Sequence, residues 1–398
     1  MAVGGLGCLV TLLVNSRQFG FSWLLGFMFY LSLALGALFL VLMHHLFDAS
    51  WSVAIRRLCE HLAALCFPWL ALLFVPIALL APRIYPWMRE TGTTDHFLSA
   101  KAPLFTRPMF YVVAVFCFWI WGLFTHRLRR WSLQQDADGA ARCTQMMRRY
   151  SGGGVVLYPI VLTLAAIMWV KALQHQWFST MYGVYYFAES VWVTVATVYF
   201  IALLLKSAGK LDALLQETQF YMLGSLLLAF TVFYAYIHFA QYFIIWNANL
   251  PEETYWYVLR ERGSWWYVGM IIIFGHFFLP FLALLRIDVK LKFACMLPLC
   301  LWAWLMHYFD MAFNIMPVLH PNNFSFTGMW ADLSCLALMG GVLLRAFVRD
   351  CGRYPLYPLK DPRLGECLGV YHAPAVASTP ASAAPPLGTA GAKPKTAS

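Results

Sequence analysis

Carboxylate and imidazole side chains occur inside long apolar segments of this sequence. A charged side chain at the centre of a membrane helix costs about 2.5–3.5 kcal/mol on insertion scales, so such groups normally face a bundle interior and have a partner. An imidazole beside a carboxylate can take up protons when a substrate is oxidised. The spacing of His307 and Asp310 puts both on one helical face. Six residues are predicted to form a proton-handling site in the outer half and centre of the membrane: Glu189, His238, His276, His307, Asp310 and Asp332.

A second polar set is predicted at the inner end of the first half of the chain. Its members close one apolar segment and open the next: His44, His45, Asp48, Glu60 and His61. One interpretation is an inner proton entry or exit. The other is a salt-bridged, water-facing turn, because Arg56 and Arg57 of the intervening connector can pair with Glu60.

The outer set also has a purely structural interpretation. Single polar residues in membrane bundles often only form hydrogen bonds across helices, worth about 0.6 kcal/mol each. This alternative applies to His276, Glu189 and His238. The aromatic stretch FTVFYAYIHFAQYF around His238 is compatible with a quinone channel or with ordinary core packing.

The elements that must position these groups are apolar helices. Of 398 residues, 61% are hydrophobic and 12% are charged, against about 25% charged in soluble domains, which excludes a soluble protein. Residues 1–14 are apolar but too short to span alone. The sequence predicts an all-α polytopic membrane protein of about ten transmembrane helices, with full spans near 20–44, 62–81, 108–125, 153–173, 180–205, 219–246, 264–285, 291–310 and 327–348.

The basic residues predict the orientation. With the carboxyl terminus inside, the inner loops and tail hold 20 of the 28 Lys and Arg residues. The positive-inside rule then places both termini in the cytoplasm. The net charge of +10 is explained by these loops, so we predict no nucleic-acid partner. Beyond about residue 372 the chain is rich in Ala, Pro, Ser and Thr, which predicts a disordered tail.

The sequence motifs of several common metal, haem and catalytic sites are absent from this chain. The ten cysteines form no C-x-x-C or C-x-x-C-H, so neither a local metal site nor covalently attached haem is predicted. The pair His307 and His320 has a spacing near that of haem b helices, but Pro317 and Pro321 break the segment. P-loop, G-x-S-x-G and H-E-x-x-H patterns are absent.

Five stretches carry a resemblance to a known family: HHLFDASWSVAIRR (44–57), YFAESVW (186–192), QYFIIWNANLPEETYWYVLRERGSW (241–265), FGHFFLPFLALL (274–285) and PLYPLKDPRLGE (355–366). They resemble the ActF-type membrane subunit of alternative complex III, a bacterial quinol:cytochrome c oxidoreductase, within the NrfD/PsrC-like family. Nearly the whole chain is covered by the resemblance.

The resemblance implies ten helices in the bacterial inner membrane. Residues 1–19 would form the short first helix, 20–175 and 176–310 two four-helix bundles, 311–350 an outer loop and peripheral last helix, and 351–398 a cytoplasmic, partly disordered tail. His44, His45, Asp48 and Glu189 would be polar groups of a proton route.

The implied function is to anchor a respiratory complex and to contribute a quinone-proximal site or proton pathway, with the productive quinol site more expected in a sister NrfD-like subunit. Haem c and iron–sulfur clusters would belong to partner subunits, and a periplasmic cytochrome or a terminal oxidase would accept the electrons. The rival from another class is a stand-alone secondary transporter or proton channel.

Overall fold

The computed structural model of the protein describes residues 1–89, 96–102, 104–212 and 214–370. Within those ranges the chain is helical and has no β-strand. The tail predicted to be disordered beyond about residue 372 lies outside the described residues. The α-helices are Ala2–Val14 (α1), Ser16–Phe47 (α2), Val53–Ala63 (α3), Trp69–Leu73 (α4), Val75–Ile84 (α5), His96–Ala100 (α6), Arg107–Asp138 (α7), Ala141–Trp169 (α8), Tyr182–Ser207 (α9), Glu217–Ala248 (α10), Pro251–Arg260 (α11), Trp265–Ile271 (α12), Leu279–Leu285 (α13), Ile287–Leu291 (α14), Phe293–Ile315 (α15), Phe326–Arg353 (α16) and Leu364–Cys367 (α17).

The helices confirm an all-α, multi-pass membrane protein. Among the described residues, eight helical segments are long and apolar enough to cross a membrane: α2, α7, α8, α9, α10, the segment from α12 to α13, α15 and α16. A ninth candidate is the pair Ser50–Leu73 and Val75–Ile84, bent by 55°. Helix α1 has 13 residues and reaches only about 20 Å, so it is too short to span alone, as predicted.

The predicted span at 62–81 is not one straight helix. Helix α3 ends at Ala63, α4 follows as a separate short helix, and the segment bends by 55° between α4 and α5. Pro68 and Pro76 have no backbone N–H to donate and interrupt the helical hydrogen bonds. The segment also begins earlier than predicted, because the connector after Asp48 folds into a 3₁₀ turn and α3.

The span at 264–285 contains an irregularity around His276. Ile272–Phe278 forms a π-helix between α12 and α13. Pro280 follows within two residues of its end and cannot donate a backbone hydrogen bond. Single π-helical turns inside α-helices are frequent at functional sites.

Helices α7 and α8 form a hairpin that extends past the predicted spans. Helix α7 continues to Asp138 and α8 begins at Ala141, whereas the predicted spans ended at 125 and began at 153. Gly139 closes the hairpin with φ of +69°, a left-handed conformation that favours glycine after a helix. The extension carries polar side chains that pack against α3.

Helix α2 is the central element. It packs against α3 and α8 from the first half of the chain, α9 from the second half, and α16. A side chain at Gly36 would collide with Ser190 and Thr194 of α9, so the glycine permits close approach of the two helices. Helix α15 packs on α9 as well, and the candidate site lies where these helices meet.

Candidate functional site

Four of the predicted outer residues meet in the protein interior, and we call them the central cluster. Glu189 comes from α9, His276 from the π-helix, and His307 and Asp310 from α15. All four are fully buried. Four ionisable groups are therefore held away from solvent within one small region of the helix bundle.

Glu189 links the two imidazoles of the central cluster. Its Oε2 lies 2.8 Å from His276 Nε2, and its Oε1 makes a short contact with His307 Nδ1. Sequence spacing paired His307 with Asp310, but the carboxylate that His307 contacts is Glu189. The i,i+3 spacing predicts a shared helix face and does not identify the partner on a neighbouring helix.

Ser32 of α2 fixes the proton on His307. Its Oγ lies 2.7 Å from the carbonyl oxygen of Phe29 and 2.8 Å from His307 Nε2. A carbonyl only accepts, so the single hydroxyl hydrogen goes to Phe29 and Ser32 accepts from the Nε2–H of His307. The contact between His307 Nδ1 and Glu189 then requires one further proton, shared between the imidazole and the carboxylate.

His276 is held between two aromatic rings. Its ring centroid lies 3.9 Å from that of Trp192 and 3.8 Å from that of Tyr234, both stacked. Trp192 is fixed in turn by a 2.8 Å hydrogen bond from its Nε1 to Thr231. His276 Nδ1 is buried and has no hydrogen-bond partner in the described structure, so this nitrogen is the one free polar atom of the imidazole.

Asp310 is held by tyrosines. Tyr185 and Tyr234 both donate to its Oδ1, the latter at 2.7 Å. Asn314, one turn later, donates to the Tyr185 hydroxyl at 2.9 Å and to the Asp310 carbonyl at 2.8 Å. The side-chain oxygen of Asn314 accepts a hydrogen bond of 3.0 Å from Tyr182. Asp310 is thus embedded in a network of neutral donors.

Arg260 of α11 holds the end of the helix that carries this network. Its guanidinium donates to the carbonyl oxygens of Phe313 at 2.8 Å and Asn314 at 2.9 Å, and it stacks on Trp256 at 3.4 Å. The last carbonyls of a helix have no intrahelical donor and carry partial negative charge. Burial lowers the pKa of Arg260 to about 9, so the guanidinium still carries its charge at neutral pH.

The remaining two outer residues lie beside the central cluster. His238 is half-buried, and its ring lies 5.5 Å from that of Tyr185 and 5.7 Å from that of Tyr234. Asp332 of α16 is buried and accepts a 3.1 Å hydrogen bond from Tyr308. His238 therefore adjoins the tyrosines of Asp310, whereas Asp332 belongs to the contact between α15 and α16.

At the predicted inner site, Glu60 lies in an ion-pair network. Arg56 Nε and Arg57 Nη1 lie 3.2 and 3.1 Å from its carboxylate. Arg56 also pairs with Asp361 of the carboxyl-terminal segment, and Arg57 pairs with Asp136 of the α7–α8 hairpin. The expected pairing of Glu60 with both arginines is confirmed, but all three side chains are buried, so the turn does not face water as that interpretation assumed.

Asp48 and His44 are also engaged in structural contacts. Asp48 pairs with Arg148 and Arg363. His44 Nε2 lies 3.3 Å from Arg56 Nη1, which can only donate, so Nε2 accepts and the opposite Nδ1 donates to Ser52 at 2.7 Å. These contacts favour the salt-bridged turn over a proton entry at these two positions.

His45 and His61 are buried with ring nitrogens that have no hydrogen-bond partner in the described structure: Nε2 of His45, and both nitrogens of His61. His45 packs edge-on against His44 with ring centroids 4.9 Å apart. His61 lies near Phe347 and Tyr354, with ring centroids slightly over 6 Å apart. Their part in an inner proton route stays a prediction.

The inner residues and the central cluster are well separated. Ser32 and His44 lie on the same helix about 18 Å apart along its axis. The side chains of α2 between them are largely apolar. A proton route that joined the two sites would therefore need water between the helices.

Sequence reasoning missed Ser32, Tyr185, Tyr234, Asn314 and Arg260. Serine and tyrosine are common in membrane helices, so their types alone did not mark them. Arg260 was counted only as a charge in an outer loop. An arginine within an aromatic run, YWYVLRERGSWW, is the one sequence feature that could have drawn attention to it.

The described residues contain no group of three or more His, Cys, Asp or Glu side chains arranged to hold a metal ion. Both nitrogens of His307 are engaged, and His320 Nε2 lies 2.8 Å from Gln18. The arrangement can hold and pass protons between a carboxylate and imidazoles. No protein-family model and no curated protein matches the chain.

Proposed function

We propose that this chain is an integral membrane subunit of a bacterial respiratory quinol:electron-acceptor oxidoreductase of the alternative complex III type. It anchors the complex and contributes a quinone-proximal, proton-handling site. One observation carries the proposal: Glu189 is fully buried and lies within hydrogen-bond distance of two imidazoles. Ionisable groups retained inside membrane helices are commonly functional, because each is costly to insert.

Oxidation of a quinol releases two protons and two electrons. Carboxylate–imidazole pairs are suited to accept such protons. The electrons would leave through haem c and iron–sulfur clusters of partner subunits, towards a periplasmic cytochrome or a terminal oxidase. We place the productive quinol site in a sister NrfD-like subunit, and this chain contributes a site close to the quinone.

In this proposal a quinone headgroup would hydrogen-bond to groups at or beside the central cluster. A headgroup needs hydrogen-bond partners for its oxygens, and His276 Nδ1 is buried without one. His238 is half-buried and flanked by Tyr236 and Phe239, both 63% exposed, so it lies where α10 meets lipid. A quinol arriving from the membrane would meet His238 before the central cluster.

The finer architecture belongs to the same proposal. Helix α1 together with nine spans gives ten helices, of which residues 20–175 and 176–310 would form two four-helix bundles. The distribution of Lys and Arg supports cytoplasmic termini, and the complex would lie in the bacterial inner membrane.

A stand-alone transporter or proton channel is the second candidate. Transporters often bind their substrates at interrupted helices. The bend of 55° before Val75 and the π-helix at Ile272–Phe278 are two such interruptions. They differ in kind and are not at matching places in two repeats, which favours the respiratory subunit.

Purification from native membranes under mild conditions separates the two candidates. A respiratory subunit is expected to bring down haem-staining partners and quinol-oxidising activity. A transporter would be recovered alone, and that result would overturn the proposal.

The function of the central cluster is tested by Glu189→Gln, which keeps the shape and removes the charge. The assembled complex is expected to lose about 10²–10⁴-fold in quinol turnover, the range typical of acid–base groups. The matched control is Glu217→Gln at the exposed start of α10. Unchanged turnover in the Glu189 variant would show that the central cluster has no part in quinol oxidation and would leave only the anchoring role.

Proton conduction through the subunit is a separate question. In proteoliposomes, Glu189→Gln and His45→Ala are expected to lower the proton-to-electron ratio if both half-routes conduct. An unchanged ratio in both variants would exclude conduction through this chain.

A further inference from the structure

A groove of about 1020 Å³ runs down the side of the first half of the chain. It lies between the bent pair α4 and α5, helix α7 and the end of α16. No residue of the central cluster lines it. The groove is therefore a second candidate binding site, independent of the proposed function.

Most of the groove is apolar and faces outward. Phe67, Val115 and Trp119 line it and are 55, 71 and 60% exposed. Phe74 and Phe118 form its buried floor. In a membrane-spanning chain such a surface is in contact with lipid acyl chains.

One end of the groove is strongly basic. Arg127, Arg129, Arg349 and Arg353 line it, with Asp350 as the one carboxylate. The predicted spans end at 125 and 348, so all four arginines lie just beyond the apolar core, at the face predicted to be cytoplasmic. Four guanidinium groups against one carboxylate leave an excess of positive charge where headgroups lie.

The single carboxylate at this end does not neutralise all four arginines. Asp350 lies 2.8 Å from Arg129 Nη1 and 3.6 Å from Arg349. Arg129 Nη2 is buried and has no hydrogen-bond partner in the described structure. Arg127 and Arg353 are exposed and form no ion pair within the described ranges.

We propose that this groove binds an anionic glycerophospholipid, with its acyl chains along the apolar part and its phosphate among the arginines. Basic pockets between membrane helices on the cytoplasmic side suit such headgroups, and guanidinium groups match phosphate oxygens in geometry. A quinone is neutral and gains little from four guanidinium groups. The Thr125 hydroxyl at this end donates its hydrogen to carbonyl oxygens of its own helix, so it does not offer a hydrogen to a quinone oxygen.

The charged end is tested by the triple variant Arg127→Gln, Arg349→Gln and Arg353→Gln, which leaves the Arg129–Asp350 pair intact. The control removes three exposed arginines outside the groove: Arg130→Gln, Arg149→Gln and Arg345→Gln. The protein is purified with its partners, placed in nanodiscs of phosphatidylglycerol or phosphatidylethanolamine, and its retained lipid is measured by native mass spectrometry.

The wild type and the control are expected to retain phosphatidylglycerol in preference to phosphatidylethanolamine. The triple variant is expected to bind phosphatidylglycerol about a hundredfold more weakly, since each basic residue contributes roughly fivefold. Equal retention by the triple variant and the control, or no preference between the lipids in the wild type, would overturn the proposal.

A photo-crosslinking residue at Val115 tests the apolar part without altering any charge. Capture of a phospholipid in native membranes supports the assignment. Capture of a quinone or of a partner polypeptide in its place overturns it.

Discussion

Ser32 on α2 accepts a hydrogen bond of 2.8 Å from Nε2 of His307 on α15. Because the serine hydrogen is directed to the Phe29 carbonyl, this hydroxyl requires a hydrogen on Nε2 of His307. Three helices are connected through this contact, from α2 through α15 to α9. Ser32 is thus a positioning residue for the central cluster.

Ser32→Ala is expected to lower the free energy of unfolding by about 1–3 kcal/mol, because a buried N–H loses its acceptor. It should also release His307 to its other tautomer, which ¹⁵N NMR of the labelled imidazole would detect. Ser190→Ala is the matched control, since the Ser190 hydroxyl donates only to Tyr186 of its own helix. An unchanged His307 spectrum in Ser32→Ala would contradict the assigned hydrogen bond.

Arg260→Lys keeps the charge but loses the fork that reaches both Phe313 and Asn314. A lysine ammonium has three donors but lacks the planar geometry that matches both carbonyls, so we expect destabilisation of about 1–3 kcal/mol. The thermal unfolding midpoint in detergent is the measurement. Arg262→Lys at an exposed position should leave the midpoint unchanged, and equal midpoints for the two variants would contradict the capping assignment.

The sequence predicted helices better than contacts. The span of α9 was predicted at 180–205 and observed at Tyr182–Ser207, because a run of apolar residues is bounded by polar ones. The bend between α4 and α5 was not predicted, since a continuous apolar run does not distinguish a straight helix from a bent one. Two prolines supplied the only indication.

Contacts between helices required the structure. Spacing along α15 put His307 and Asp310 on one face, but the distance between α9 and α15 decides that Glu189 is the partner of His307. Arg56 and Arg57 were expected to pair with Glu60 because all three lie on one helix. Their further pairing with Asp361 and Asp136 depends on distant segments, which no local pattern indicates.

The carboxyl-terminal segment is fastened to the helix bundle by ion pairs. Asp361 pairs with buried Arg56, and Arg363 pairs with Asp48. Asp361→Asn is expected to destabilise this attachment by up to about 3 kcal/mol, because removing one partner leaves a buried charge less compensated. Limited proteolysis should then cleave residues 354–370 faster than in the wild type.

The control for this attachment is Asp288→Asn. Asp288 pairs with Arg286 and Lys292 at the surface, where ion pairs contribute little, and its loss should leave cleavage unchanged. Identical cleavage rates in Asp361→Asn and the wild type would show that the segment is held by other contacts.

His320, in the segment between α15 and α16, makes stability depend on pH. Burial, and after it the charge of Arg17, lowers the pKa of His320, and its Nε2–H donates to Gln18 at 2.8 Å. As pH falls through the ordinary histidine value of about 6.5, the unfolded chain takes up a proton before the folded protein does. The stabilisation is present above that pH and is lost below it.

As the pH is lowered from about 7.5 to about 5, the thermal midpoint of the wild type is therefore expected to fall more than that of His320→Gln. The glutamine keeps a donor for Gln18 but cannot titrate. Arg17→Gln removes the second cause and should give an intermediate dependence on pH. Parallel curves for the wild type and His320→Gln would show that this imidazole is not responsible, because a group with equal pKa in the folded and unfolded states contributes no slope.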